Sequence, residues 1–204
     1  MTVDPMPIDP ERGDEVVALL HSLGAAEIEH PGGTLLAHLR RVRAILAGWG
    51  ARPELQLAGL CHACYGTDGF ATALLPPDAP ARAELARLIG AAAEEIVYRY
   101  ASCDRKASYA TLPHADGAFH DRFAGTAFVP SPQQRRDFAE LTVANELDLL
   151  QVSPEVRARW GEALGRLFTS LRPLLSSPAW QAVEQTLGGQ LPAQPAHQVR
   201  QGRQ

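Results

Sequence analysis

The stretch that decides the fold is Leu35-Leu36-Ala37-His38-Leu39-Arg40-Arg41-Val42-Arg43-Ala44-Ile45-Leu46. Leu35, Leu36, Leu39, Val42, Ile45, Leu46 and Trp49 recur at the 3.6-residue spacing of an amphipathic helix. Thr34 stands where an N-cap is needed, and Gly50 ends the pattern. Arg40, Arg41 and Arg43 lie off the apolar stripe. The residues therefore predict a helix over Leu35–Trp49. Before it, His30-Pro31-Gly32-Gly33-Thr34 reads as a turn, and Asp14–Leu23 as a short amphipathic helix stopped by Gly24. After it, Pro53 opens a helix whose Leu55, Leu57, Ala58, Leu60 and Cys61 are apolar almost all round. A helix without a polar face belongs in the centre of a fold.

The same signals continue to the C-terminus. Ala81–Ile89 and Ala91–Cys103 are helical and broken at Gly90. Lys106–Pro130 has no helical period, and a β-hairpin around Phe119–Phe128 is expected there, turned by Asp121–Gly125. Ser131-Pro132 and Ser153-Pro154 each pair an N-cap with a proline in the first turn, starting helices Gln133–Leu150 and Glu155–Leu171. Pro178 begins a last short helix. The fold class is all-α, a helical bundle with a small hairpin insertion. The expected organisation is a flexible arm over 1–13, one helical domain over 14–187 and a disordered tail over 188–204.

Composition narrows the function classes. The chain has 204 residues, 46% hydrophobic and 21% charged, with a net charge of −4. A weakly acidic chain gives no reason to expect nucleic-acid binding. Its apolar runs are too short to span a bilayer, and its N-terminus lacks the charged and apolar regions of a secretory signal. Membrane association is therefore not expected, and the expected location is the cytoplasm. Lys106 is the only lysine. Such arginine and alanine richness is read as the residue usage of a GC-rich bacterial genome. Cys61-x-x-Cys64 has zinc-like spacing that Cys103 could join, but no second pair exists, so the two cysteines of the apolar helix read as small core residues.

Of the seven histidines, two carry the argument. His38 lies on the long amphipathic helix and His62 at the end of the most apolar one. Burying an imidazole is costly unless its nitrogens are satisfied. Consecutive antiparallel helices can bring the two rings face to face, and imidazole is a common transition-metal ligand. To share one ion their nitrogens must lie about 3 to 4.5 Å apart, given bonds near ~2.1 Å. His30 precedes the same helix. His21 suits the last turn of its helix, His197 lies in the tail, and His114 and His120 lie in a segment that could cover a pocket.

His38 through Leu46, then Leu57-Ala58-Gly59-Leu60-Cys61-His62, then Leu88 through Val97, resemble in order the HD-domain superfamily of metal-dependent phosphohydrolases. The nearest resemblance is to the hydrolase domain of bacterial guanosine polyphosphate hydrolases/synthetases. Gly33-Thr34-Leu35-Leu36-Ala37-His38-Leu39 and Tyr65-Gly66-Thr67 also look like a bacterial domain family of unknown function within that group. The resemblance covers roughly 30–150. It implies a divalent metal (Mn, Fe or Zn) held by His38 and His62 with Asn145, and His30 within reach. Glu146 is then expected in a catalytic role, with Arg41, Thr67 and Asp104 facing a small-molecule substrate or ligand, Asp104 as half of an Asp104-Arg105 pair at the rim. The chain departs from the pattern where the family has carboxylates: Ala63 follows His62, and Asn145-Glu146 replaces an Asp-Arg pair. Losing two carboxylates weakens a site for hard ions, which prefer charged oxygen donors. Three functions are weighed: a divergent metal-dependent hydrolase of a phosphorylated small molecule or nucleotide, a non-catalytic small-molecule or partner-binding protein, and an iron-dependent oxygenase.

Overall fold

The computed structural model describes residues 10–192. Of the expected arm over 1–13 and tail over 188–204, residues 1–9 and 193–204, His197 among them, lie outside the described residues. Within the described residues the chain runs α1 (Pro10–Ser22), β1 (Glu29–His30), β2 (Gly33–Thr34), α2 (Leu35–Gly48), α3 (Pro53–Cys61), α4 (Ala79–Ile89), α5 (Ala91–Ser102), α6 (Arg105–Ser108), β3 (Phe119–Asp121), β4 (Thr126–Phe128), α7 (Pro132–Val152), α8 (Pro154–Leu171) and α9 (Ser177–Leu187). The fold is all-α, and its strands form two small antiparallel hairpins, β1–β2 and β3–β4. In the second, Phe119 faces Phe128 and Asp121 faces Thr126, which is the hairpin expected from the sequence.

Most helix ends fall within two residues of the sequence reading; the start of α1, the end of α3, expected near Tyr65-Gly66, and the short helix α6 depart from it. Helix α1 begins at Pro10 rather than Asp14, because a proline in the first turn removes only a donor that has no helical partner. Helix α3 stops at Cys61, and His62 is its C-cap. The following turn closes through Cys64 N–H to Cys61 O and Gly66 N–H to Ala63 O, with Gly66 at φ 67°. Helix α6 was not expected. Asp104 caps it, its carboxylate accepting from the Ala107 N–H at 3.0 Å.

Helix α3 is central, as its all-round apolarity predicts. Every residue from Leu55 to Cys61 is buried, and α2, α5 and α7 pack against it. The α2–α3 crossing is close because Gly59 has no side chain: a Cβ there would lie 2.5 Å from Leu46 Cδ1. Helix α7 serves two cores. Phe138, Leu141 and Ala144 join the main one, while Val143, Leu147 and Leu150 pack with Phe168, Trp180, Val183 and Leu187 of α8 and α9. A full capping box starts α7: the Ser131 hydroxyl accepts from Gln134 N–H, and Gln134 Oε1 accepts from Ser131 N–H at 2.8 Å. The three cysteines are buried free thiols, and no described helix is long and apolar enough to cross a membrane.

Replacing Gly59 by valine drives a branched side chain into Leu46. We expect a loss of about 1 to 3 kcal/mol in chemical denaturation, the usual cost of overpacking a tight core. Ser131→Ala removes one cap and is expected to cost about 1 kcal/mol in the same assay.

Candidate functional site

Four elements converge on one pocket of about 240 Å³. The β1–β2 hairpin supplies His30, α2 supplies His38, the end of α3 supplies His62, and α7 supplies Asn145 and Glu146. Thr67 and Phe70 close one wall from the loop after α3, and Arg105 of α6 another.

The two histidines expected to meet do so. His38 Nε2 lies 3.4 Å from His62 Nε2, and both residues are almost wholly buried. Each ring is held by its other nitrogen. His38 Nδ1–H donates to Asp148 Oδ2 at 2.6 Å, and His62 Nδ1–H donates to the Gly59 carbonyl at 2.8 Å. With those protons on Nδ1, the neutral rings turn bare Nε2 lone pairs towards each other. Asn145 adds a third acceptor, its Oδ1 lying 3.0 Å from His38 Nε2. The amide is oriented by Glu146, whose Oε1 accepts from Asn145 Nδ2 at 3.1 Å. Three electron-pair donors facing one point need an electropositive partner between them, either a shared proton or a cation.

The donor set also passes a test of fit for a metal ion. Bonds of ~2.1 Å at tetrahedral or right angles separate ligand atoms by about 3.0 to 3.4 Å, matching the two separations found. Among the described residues no three His, Cys, Asp or Glu side chains gather to hold an ion, so the third donor here is a neutral amide. Such a set, two imidazoles and one amide oxygen with no charge, suits borderline ions such as Zn²⁺ or Fe²⁺ better than Mg²⁺.

His30 stacks on His38, with ring centroids 4.1 Å apart and planes inclined by 25°. Its pKa falls to about 4, through burial first and the neighbouring His38 second. His62 falls to about 3 for the same two reasons. The Glu146 carboxyl moves the other way, raised by burial although Arg105 pulls it down. It lies 3.4 Å from the Arg105 guanidinium. Asp148 is held below the ordinary aspartate value: burial opposes ionisation, but the hydrogen bonds from His38 and Arg41 outweigh it.

Two expected ligand-facing residues take other roles. Arg41 grips Asp148, with Nε to Oδ1 at 2.6 Å and Nη2 to Oδ2 at 3.0 Å, so it positions Asp148 and does not line the pocket. Asp104 caps α6 and lines a separate surface depression with His120 and Arg122. Neither His114 nor His120 lines the pocket. Glu140 accepts from the Ser176 N–H at 2.9 Å and ties α7 to the start of α9. Thr67 and His30 do line the pocket. The sequence places Asp104-Arg105 together at the rim, and of the two it is Arg105 that lines the pocket. The i, i+3 spacing puts Asp148 on the face of Asn145, but its pairing with His38 has no signal in the sequence.

Residues 19–105 match the model of a family described as a domain of unknown function, DUF6817. The matched stretch runs from within α1 to the first residue of α6 and contains His30, His38, His62 and Arg105, but not Asn145, Glu146 or Asp148. No curated protein and no solved structure matches the chain.

Asp148→Ala leaves a buried imidazole and a guanidinium without their shared acceptor. We expect a loss of about 3 to 5 kcal/mol on chemical denaturation. The histidines also set an acid limit. His30 and His62 have folded-state pKa values below the unfolded 6.5, so the unfolded chain binds more protons. Their contribution is complete above pH 6.5 and is lost as pH falls, towards 4 for His30 and towards 3 for His62. Denaturation midpoints measured across that range are expected to fall with pH, and to fall less steeply in His30→Phe.

Proposed function

We propose that the chain is a metal-dependent hydrolase of a phosphorylated small molecule or nucleotide, working in the pocket between α2, α3 and α7. The observation that carries this reading is the convergence of His38 Nε2, His62 Nε2 and Asn145 Oδ1 on one point. The sequence order of His38, His62 and Asn145, which resembles the HD-domain superfamily, supports it. His38, His62 and Asn145 would hold the ion. A bound divalent ion would supply Lewis acidity and lower the pKa of a coordinated water.

The chain's own groups fill the remaining roles. Asp148 holds the His38 proton on Nδ1, fixes the ring and raises the basicity of Nε2, the usual work of a carboxylate behind a histidine ligand. Glu146 presents a carboxyl in the same pocket, its pKa raised by burial against the pull of Arg105. It is the proton acceptor of this reading. Leu35, Phe70 and Leu149 keep part of the wall apolar, which limits water around these groups.

A second reading, a non-catalytic ligand-binding protein, is favoured by one observation: Ala63 stands beside His62 and Asn145 is neutral, so no carboxylate joins the histidines. Metal titration and assay separate the two. Purified, chelator-stripped protein is titrated with Zn²⁺, Fe²⁺ and Mn²⁺. The hydrolase reading expects one equivalent bound with micromolar affinity, lost in His38→Ala and His62→Ala, and turnover of phosphoester substrates that falls in Glu146→Gln. Asp148→Asn is expected to weaken metal binding by about 10- to 100-fold. Metal binding without turnover supports the non-catalytic reading, and an iron-loaded protein whose absorbance changes with oxygen supports an oxygenase. Wild-type metal content in both histidine variants overturns the metal site.

A further inference from the structure

We propose that Arg105 is the ligand-recognition residue of the pocket, and that it receives a singly charged, forked oxyanion of a small molecule. The proposal deepens the hydrolase reading and rests on it for the identity of the pocket. It begins from a contrast among four half-buried arginines. Arg41, Arg52 and Arg82 each grip a carboxylate with short contacts: 2.6 Å to Asp148, 2.6 Å to Asp137 and 2.7 Å to Glu94. Their donors are engaged in holding helices together. Arg105 is different. Its side chain is 21% exposed, it lines the pocket, and its two side-chain hydrogen bonds are long, 3.4 Å to Glu146 Oε1 and 3.5 Å to Tyr100 Oη.

A guanidinium carries five N–H donors in a planar fork. Two contacts at the outer limit of hydrogen bonding leave most of that capacity open towards the pocket. The surroundings hold the group in place without satisfying it. Tyr100 and Tyr109 lie beside it, their ring centroids 5.7 and 5.9 Å from the guanidinium carbon. The Arg105 backbone N–H donates to Asp68 Oδ2 at 3.0 Å, which ties α6 to the loop after α3. On that loop Gly69 leaves the guanidinium uncovered, since a Cβ there would come within 3.0 Å of Nη1.

The partner that matches a planar fork is a two-oxygen acceptor, a carboxylate or the non-bridging oxygens of a phosphoryl group. The charge close by limits the ligand to one negative charge. In the metal-free pocket Glu146 lies against the Arg105 guanidinium, and a second charge on the ligand would face that carboxylate. A phosphodiester or a carboxylate meets that condition, and a phosphomonoester dianion does not.

The test uses the full-length, chelator-stripped protein, so that it reads Arg105 separately from the metal site. Dimethyl phosphate, acetate and methyl phosphate are titrated at constant ionic strength and about pH 8, where methyl phosphate is a dianion. Binding is read from the Arg105 Nε–H resonance by NMR. We expect saturable binding of dimethyl phosphate, acetate or both, with methyl phosphate no tighter than either. The stronger of the two monoanions separates the phosphodiester source from the carboxylate. Arg105→Gln should weaken binding about tenfold or more, with its loss read from the remaining pocket resonances, and Arg105→Lys should restore only part of it. Gly69→Leu covers the fork while keeping the charge, and should also abolish binding, which decides the matter if Arg105→Gln fails to fold. Wild-type affinity in Arg105→Gln or in Gly69→Leu, tighter binding of methyl phosphate, or no saturation by either monoanion overturns the proposal. Each of these results can occur while the metal titration succeeds.

Discussion

One carboxylate organises the site. Asp148 is almost fully buried and accepts from His38 at one oxygen and from Arg41 at both. Its charge is stable inside the protein because donors of two kinds meet it, an imidazole and a guanidinium fork, and both come from α2. Through this residue α7 is fastened to α2, and the fastening also fixes chemistry. The proton on His38 Nδ1 is held there by Asp148, so the opposite nitrogen faces His62 with its lone pair. The stability of the bundle and the readiness of the site thus depend on the same pair of oxygen atoms.

The rest of the pocket follows from how few charges it contains. His38, His62 and Asn145 meet as dipoles and lone pairs, and the nearby ionisable groups are Glu146 and Arg105, in loose contact with each other. An ion held by these neutral donors, as the proposed function requires, would keep its charge uncompensated and pull more strongly on an anionic ligand. This is a different balance from a site rich in carboxylates, where the protein itself neutralises the ion. Ala63 and Asn145 are therefore informative about selectivity as well as about affinity.

The helices were legible because their signals are local. The 3.6-residue stripe of α2, the proline starts of α3, α7 and α8, and the break at Gly90 each act within a few residues. The meeting of His38 and His62 was legible too, since two polar rings on consecutive apolar helices have few other places to go. The roles of Arg41 and Asp104 were not. Whether an arginine faces a pocket or a carboxylate depends on what α7 presents more than a hundred positions away, and no periodicity encodes that. Which member of the Asp104-Arg105 rim pair faces the pocket was hidden for a related reason. Arg105 sits on a single helical turn inside an irregular segment, and its position is fixed by Asp68 and Asp104 rather than by any apolar pattern.

Helix α7 is buried on two sides. Leu147, which packs into the C-terminal core, sits between Glu146 and Asp148, which belong to the pocket and its support. A rigid helix cannot move one of these residues without the others. The C-terminal helices contribute no residue to the pocket, yet by packing on Leu147 they fix the rotation of the helix that carries Asn145 and Asp148.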